Sequence, residues 1–433
     1  MNTFPNGAPA ATMDEPMDAA RFDALLGQLA RFSAPGAGVT RLAYDEAWCA
    51  AHRWLADEAR ARGLAASADA GGNLYFHDPG LAPGDLARPV LLVGSHLDSV
   101  RDGGRYDGAY GVVAGLVLAA EHRGRSGPPV VGHVTAEEEQ SRFDSQMMGA
   151  RALLGVVHAA ELDTVRDRDG VTWRAALAIA EHAGCAAPLA AGDAPIRPLF
   201  RPALTLEPHI EQGPVLERTG AALGFATAIA GFQRLRIGVT GTPRHAGTTP
   251  LEMRRDALAG AAEMALAAET LARESGDPAR VTAGRLTVEP GLFNVSPGAA
   301  ELWIETRHSD EAALQRLTRA LGERCETIAR RRGLALTTEL VTSQTPTPLT
   351  ARWVDTAVTL AETQRLSARR MVSGAGHDSM EFARAGVEAI LLFVPSRDGI
   401  SHSPDEYTSP AALWTGVRFA SALLDRAAAE IRP

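Results

Sequence analysis

The 433-residue chain contains no lysine: all 43 of its basic residues are arginine. Chemistry that needs the chain's own lysine, such as a pyridoxal Schiff base or the phosphate-gripping lysine of a P-loop, is therefore excluded. Cysteine is scarce. Cys49, Cys185 and Cys325 are odd in number and far apart, which reads as small core residues in a reducing compartment, not as a disulfide frame. There is no apolar run of about 18 residues, so no transmembrane helix is expected. Positive charge is in deficit: 43 basic against 52 acidic residues gives −9, with no basic stripe. That argues against nucleic acid or an anionic membrane as a partner. Met1 to Asp18 lacks the basic and apolar regions of a signal peptide and reads as a disordered lead-in, so a cytoplasmic protein is expected.

What is present is a globular balance, 45% hydrophobic and 22% charged, with length for about three domains at roughly 150 residues each. Trp48, Ala51, Leu55 and Ala59 mark one face of a helix, with Gly63 placed as its terminating glycine. Val90–Val93, Val130–Val134, Ala203–Leu206 and Ala389–Val394 read as buried strands, alternating with helical stretches such as Val112–Glu121. This alternation predicts an α/β domain with a mostly parallel sheet. Between about 231 and 341 the pattern changes. One-sided strands (Leu235/Ile237/Val239; Val281–Val288; Leu302/Ile304; Leu334/Leu336/Leu340) and two helices (Arg254–Glu274; Leu314/Leu317/Leu321/Cys325/Ile328) follow the order β-α-β-β-α-β, a ferredoxin-like unit. The expected organisation is a discontinuous domain, 19–230 and 342–433, interrupted by a compact insert over 231–341. Leu153–Pro202 is Ala-rich and reads as helices plus a loop.

The chemistry-bearing residues gather at predicted strand ends, where parallel sheets place their sites. His96 and Asp98 follow the first buried strand, and Asp107 follows shortly after. Glu137-Glu138-Glu139 follows the second strand. Three adjacent carboxylates repel, and a bound metal would stabilise one as a ligand while a neighbour serves as a base. His209 and His402 each follow a further strand. His96, Asp107, one of the glutamates, His209 and His402, five groups converging on one sheet edge, are best explained by a two-metal site sharing an aspartate. His52, His77, His122, His133, His158, His182 and His308 are expected in helices, exposed faces or turns, with structural roles.

The segments GSHLDSVRDGGRYDG (94–108), EEQSRF (138–143), HIEQGPVLE (209–217), RHAGTTPLEMRRDAL (244–258), FNVSPG (293–298), ETRH (305–308), SGAGHDS (373–379) and VPSRDGISHSPDE (394–406) carry a further reading. In this combination and order the sequence resembles the M20-type metal-dependent amidohydrolases, in particular the hydantoinase/carbamoylase branch. That branch holds N-carbamoyl-L-amino-acid hydrolases, allantoate amidohydrolases and β-ureidopropionases. The resemblance implies that His96, Asp107 and His209 hold one divalent ion and Asp107, Glu139 and His402 the other. Zn²⁺ or Mn²⁺ suit these ligands, and Co²⁺ or Ni²⁺ also fit. It implies Glu138 as general base, Asp98 as the carboxylate that orients His96, and His245 as a catalytic donor. Gln212, Asn294, Arg307 and Gly374 are implied to hold a small ureido or carbamoyl acid. The insert is implied to be a lid and homodimerisation domain.

The implied reaction is hydrolysis of the carbamoyl C–N bond of N-carbamoyl-L-amino acids, releasing ammonia and CO₂. Allantoate amidohydrolase is the alternative, with β-ureidopropionase or an M20 aminopeptidase or dipeptidase behind it. From another class, a metal-binding protein without activity has no need of Glu138. Some positions depart from the family pattern. Gln140 stands where glycine is usual, Pro208 where an aliphatic residue is common, and Ser379 where alanine is common. The third carboxylate, Glu137, leaves two registers open for the base/ligand pair, 138/139 or 137/138; the SRF that follows favours the first.

Overall fold

The computed structural model describes residues 16–190 and 196–432. Most of the expected lead-in lies outside these residues. Asp18 caps the first helix, α1 (Ala19–Leu29), by accepting from Arg21 N–H. Two compact units are distinguished. One holds the chain up to Ala226, Thr350–Arg370 and the residues from His377 on; the other holds Thr227–Leu349 and Met371–Gly376.

The first unit contains α2 (Glu46–Ala61), β1 (Ala65–Ala68), β2 (Leu74–His77), β3 (Pro89–His96), α3 (Ala109–Glu121) and β4 (Val130–Thr135). After α4 (Met148–Leu153), α5 (Ala159–Thr164) and α6 (Trp173–His182) come β5 (Arg201–Ile210) and α7 (Val215–Thr219). Within the stretch Leu153–Pro202, expected as helices plus a loop, the described residues form α5 and α6 with turns, and 191–195 lie outside the described residues. The chain later returns with α10 (Ala351–Thr363), α11 (Ser379–Arg384), β15 (Glu388–Val394) and α12 (Pro410–Glu430). Strands β4, β3, β5 and β15 are mutually parallel, and β1 and β2 extend the sheet antiparallel. With β6 (Leu223–Ile229), β13 (Thr347–Pro348) and β14 (Ala368–Ser373), this makes a nine-stranded mixed sheet with a parallel centre, in an α/β fold.

The central strands are buried along their whole length, which is why they read as continuous apolar runs. Helix α3 is buried on every side from Ala109 to Ala119, and glycine makes its close approach possible. A Cβ on Gly115 would sit 2.4 Å from the Val93 carbonyl, and one on Gly111 2.5 Å from Ser95 Cβ. This packing brings the start of α3, and Asp107 just before it, against the end of β3. Pro208 sits inside β5. The β3–β5 ladder ends at Val93–Leu206, two residues earlier, while β15 pairs on to Ile210, so the missing N–H falls where one ladder has already stopped.

The second unit is built from β7 (Gly231–Thr240), α8 (Ala257–Ser275), β9 (Arg280–Glu289), β11 (Ala299–His308), α9 (Glu311–Arg332) and β12 (Ala335–Gln344). Its four strands are antiparallel in the order β12-β7-β11-β9, the ferredoxin-like arrangement. Leu235, Ile237, Val239, Leu302 and Ile304 pack against Met264, Leu271, Leu321 and Cys325 of the two helices. One inward residue of the expected pattern differs. Leu340 pairs with Leu235 on the helix-side face, but it lies on edge strand β12, where the helices leave it exposed. Two short strands, β8 (Arg244–His245) and β10 (Val295–Ser296), form a separate ladder.

Candidate metal centre

His96 is the last residue of β3, Glu137–Glu139 follow β4, and His402 lies in the loop after β15. His209 was expected past the end of its strand but is the penultimate residue of β5, because the parallel pairing with β15 runs to Ile210. All these positions are carboxyl ends of the parallel strands. Asp107 lies at the centre. Its Oδ1 is 3.6 Å from His96 Nε2 and 3.2 Å from His209 Nε2, and its Oδ2 is 3.3 Å from His402 Nε2. Glu139 Oε2 lies 3.3 Å from the same His402 nitrogen. Two sets result, His96/Asp107/His209 and Asp107/Glu139/His402, which share the two oxygens of one carboxylate.

The spacing fits ions better than direct hydrogen bonds. Ligand atoms at about 2.0–2.1 Å from a tetrahedral ion are about 3.3 Å from one another, close to the four imidazole–carboxylate separations of 3.2 to 3.6 Å. Each set offers three protein ligands, the number typical of a catalytic ion with an open position. His96 and His209 have their Nδ1 atoms beside backbone carbonyls, Asp98 O at 3.0 Å and Ile210 O at 2.8 Å, so the Nε2 atoms are left to face Asp107. His402 is half-exposed, whereas the other four ligand-type side chains are almost fully buried.

The electrostatics call for added positive charge. Burial raises Glu138 well above the usual carboxylate range, and Glu139, Asp378 and Asp98 raise it further against the pull of His96. Burial, then Asp107, pushes Glu139 up to about 7. Burial opposes ionisation of Asp107, but the facing imidazoles of His209, His402 and His96 hold it well below its ordinary value. His402 is pushed up to about 9, chiefly by Asp107. The acceptor-only, crowded donor set fits divalent cations.

Other residues are placed as follows. Glu137 takes a positive φ of 52° and its Oε1 accepts from Arg142 N–H and Phe143 N–H, so its carboxylate belongs to the loop, whereas Glu139 faces His402. Asp98 does not hold His96 by a short carboxylate contact: that distance is 3.8 Å, and the imidazole meets the Asp98 carbonyl instead. The Asp98 carboxylate accepts from Glu138 N–H and Glu139 N–H, each at 3.1 Å, and so fixes the glutamate turn. Gln212 Nε2 donates to Asp107 Oδ2 at 2.8 Å. In the second unit, the β8–β10 ladder joins His245 to Val295, and Ala246 N–H donates to Asn294 O. His245 Nδ1 accepts from Gly247 N–H and Thr248 N–H, so its Nε2 carries the hydrogen and is left as a donor. Arg307 donates to the Gly374 carbonyl and to Glu305, which also accepts from Arg234.

Sequence reasoning missed the buried polar layer under the centre. Glu207 accepts from Ser95 Oγ and from both N–H and Oγ of Ser379, so the unusual serine adds a donor. The signal was available: a carboxylate in the middle of an apolar strand is costly unless partnered. His377 packs edge-on against His209 with ring centroids 4.6 Å apart, and Thr135 Oγ1 donates to Asp378. Of the seven histidines set aside, His77 and His133 were misplaced. They lie buried in β2 and β4, and burial lowers His133 to about 3. None of the seven joins a metal-type cluster among the described residues.

The model of peptidase family M20/M25/M40 matches residues 92–426. The chain is 37% identical over 394 residues to N-carbamoyl-L-amino-acid amidohydrolase of Paenarthrobacter aurescens, covering 90% of this chain and 93% of the relative. It is 34% identical over 392 residues to allantoate amidohydrolase of Bacillus subtilis, covering 89% and 92%. Among solved structures, a hydantoinase/carbamoylase family amidase from Burkholderia multivorans superposes with a TM-score of 0.84 at 31% identity, covering 95% and 98% of the two chains. The chain is a hydrolase that belongs to peptidase family M20/M25/M40, on its hydantoinase/carbamoylase amidohydrolase branch.

Proposed function

We propose that this enzyme cleaves the carbamoyl C–N bond of N-carbamoyl-L-amino acids, releasing ammonia and CO₂. The observation that carries the reading is Asp107 set between two ligand sets, with the buried, unspent carboxylate of Glu138 beside them. His96, Asp107 and His209 would hold one divalent ion and Asp107, Glu139 and His402 the other, Zn²⁺ or Mn²⁺ by donor type, with Co²⁺ or Ni²⁺ as substitutes. Such ions, when bound, lower the pKa of water and polarise a carbonyl. Glu138 takes the proton of the attacking water on its carboxylate and returns it to the leaving nitrogen. Burial suits this exchange, because it raises the affinity of the carboxylate for the proton. Asp98 keeps Glu138 in place through its backbone N–H. Arg307 offers a fork to the substrate carboxylate, with Gln212, Asn294 and Gly374 as further polar contacts. His245 Nε2–H serves as donor to the developing oxyanion.

The enzyme acts as a cytoplasmic homodimer joined through 231–341, with His245 supplied to the partner's centre. The exposed apolar side chains Leu251, Met253, Leu292 and Phe293, on segments flanking His245 and Asn294 in sequence, support pairing of this unit. Mixing His245→Ala with Glu138→Gln under subunit exchange should restore part of the activity; no recovery despite proven exchange would place His245 in its own subunit's site.

A second reading, allantoate as substrate, is favoured by the Bacillus subtilis relative. An ammonia-release screen over N-carbamoyl-L-amino acids, N-carbamoyl-β-alanine and allantoate, with each metal added back, tests both. Turnover of allantoate alone would replace the first reading with the second.

A further inference from the structure

We infer that Glu406 is a positioning residue that clamps the shared carboxylate of Asp107 between the two ligand sets. This rests on the two-metal reading above. Glu406 is buried in the loop between His402 and α12. Its Oε1 accepts from two consecutive amides, Tyr106 N–H at 2.9 Å and Asp107 N–H at 3.1 Å, and so grips the backbone that carries the aspartate. Ser401 Oγ lies 2.9 Å from both Glu406 Oε2 and Asp107 Oδ2, so its single O–H, which donates to one oxygen at a time, sits between the two carboxylates and links them. Backbone and carboxylate of Asp107 are thus fixed by one glutamate about 300 positions away in the chain.

The receiving loop is shaped for it. A Cβ on Gly104 would sit 2.0 Å from Glu406 Oε1 and 2.1 Å from its Cδ, so only glycine lets the loop pass over the carboxylate. The contact is also asymmetric. Ser401 touches Oδ2, the oxygen facing His402, while Oδ1 faces His96 and His209. Losing the clamp should therefore weaken the Glu139/His402 set more than the His96/His209 set. In Glu406→Gln the amide oxygen still accepts from both N–H groups. The amide nitrogen donates to Ser401 Oγ, and the hydroxyl proton remains for Asp107, so geometry is kept without charge.

The test is metal binding to the metal-free protein, by competition of Zn²⁺ with a chromophoric chelator, and the visible absorption of the Co²⁺ form. The two sets are assigned with His209→Ala and His402→Ala. Glu406→Ala should bind the ion of the Glu139/His402 set about 10- to 100-fold more weakly, the usual scale for groups behind a ligand. It should also change the Co²⁺ spectrum. Glu406→Gln should stay within a few fold of the parent, and Ser401→Ala and Gly104→Ala should repeat the asymmetric loss. Those two variants decide the matter if Glu406→Ala does not fold. Unchanged affinity, equal loss at both sets, or a Gln variant as weak as the Ala variant would overturn the clamp. If the parent protein itself takes up no divalent ion, the two-metal reading falls instead.

Discussion

Gln140 holds a φ of 54° in the turn after the two glutamates, with its side chain exposed. An L-residue in the left-handed region costs roughly 1–2 kcal/mol through crowding of its Cβ, which glycine avoids. Glycine in turn loses more backbone freedom on folding, about 0.4–1 kcal/mol. Gln140→Gly should therefore stabilise the first unit by roughly 0.5–1 kcal/mol, a rise of about 1–3 °C in the melting midpoint at this size. Differential scanning calorimetry on the metal-loaded protein, with a urea midpoint at constant m-value, measures it. Companion variants sharpen the test. Asn tolerates this conformation and should fall between Gly and Gln, while β-branched Val should be worst. A Gly variant less stable than the parent, or a Val variant equal to it, would refute the conformational argument.

Glu138→Gln should leave metal affinity unchanged and lose about 10² to 10⁴ in kcat, since the amide keeps the shape and cannot accept the proton. If Glu137→Gln is the inactive variant instead, the roles of the adjacent glutamates are shifted by one. Arg307→Lys should raise KM for carboxylate substrates with a smaller effect on kcat, because the planar fork is lost; equal loss on the substrate amide would assign the arginine to the fold. Chelation should make stability fall with rising pH. Glu139, raised from 4.5 to about 7, and His402, raised from 6.5 to about 9, both bind more protons folded than unfolded across that range. The melting temperature of the metal-free protein should thus drop between about pH 5 and 9, and excess Zn²⁺ should flatten the slope; a metal-free profile that rises with pH would contradict the charge balance of the cluster.

That these residues gather was legible because they stand at or shortly after the ends of buried apolar runs, and such runs in an alternating pattern mean parallel strands with sites at their ends; that His209 lies inside its strand was not. The ferredoxin-like unit was legible from period-two strands and two amphipathic helices. What could not be read was lateral order. Strand β15 is last in the chain yet neighbours β5, and nothing local to Ala389–Val394 specifies that partner. The same holds for the support of the centre. Glu207, Asp378 and Glu406 act through side-chain geometry over distances of 112 to 300 positions, which no periodicity encodes. The Asp98 carboxylate reaches the glutamate turn, not mainly the imidazole, for the same reason. Gln140 is an intermediate case: its departure from glycine was visible, and the positive φ supplies the cause.

The place of β15 between β5 and β6 bears on synthesis at the ribosome. Strand β5 can pair with β3 as soon as both have emerged, but its other edge stays open until nearly 180 more residues have been made. Throughout that interval the nascent chain presents Leu204, Leu206 and Ile210 on a strand with one open edge, a template for the wrong partner. The Thr227–Leu349 segment, whose four-stranded sheet β12-β7-β11-β9 pairs within itself, can mature meanwhile as a separate folding unit. Closure of the sheet and arrival of His402 then coincide, so the Asp107/Glu139/His402 set is completed only once the last strand has emerged.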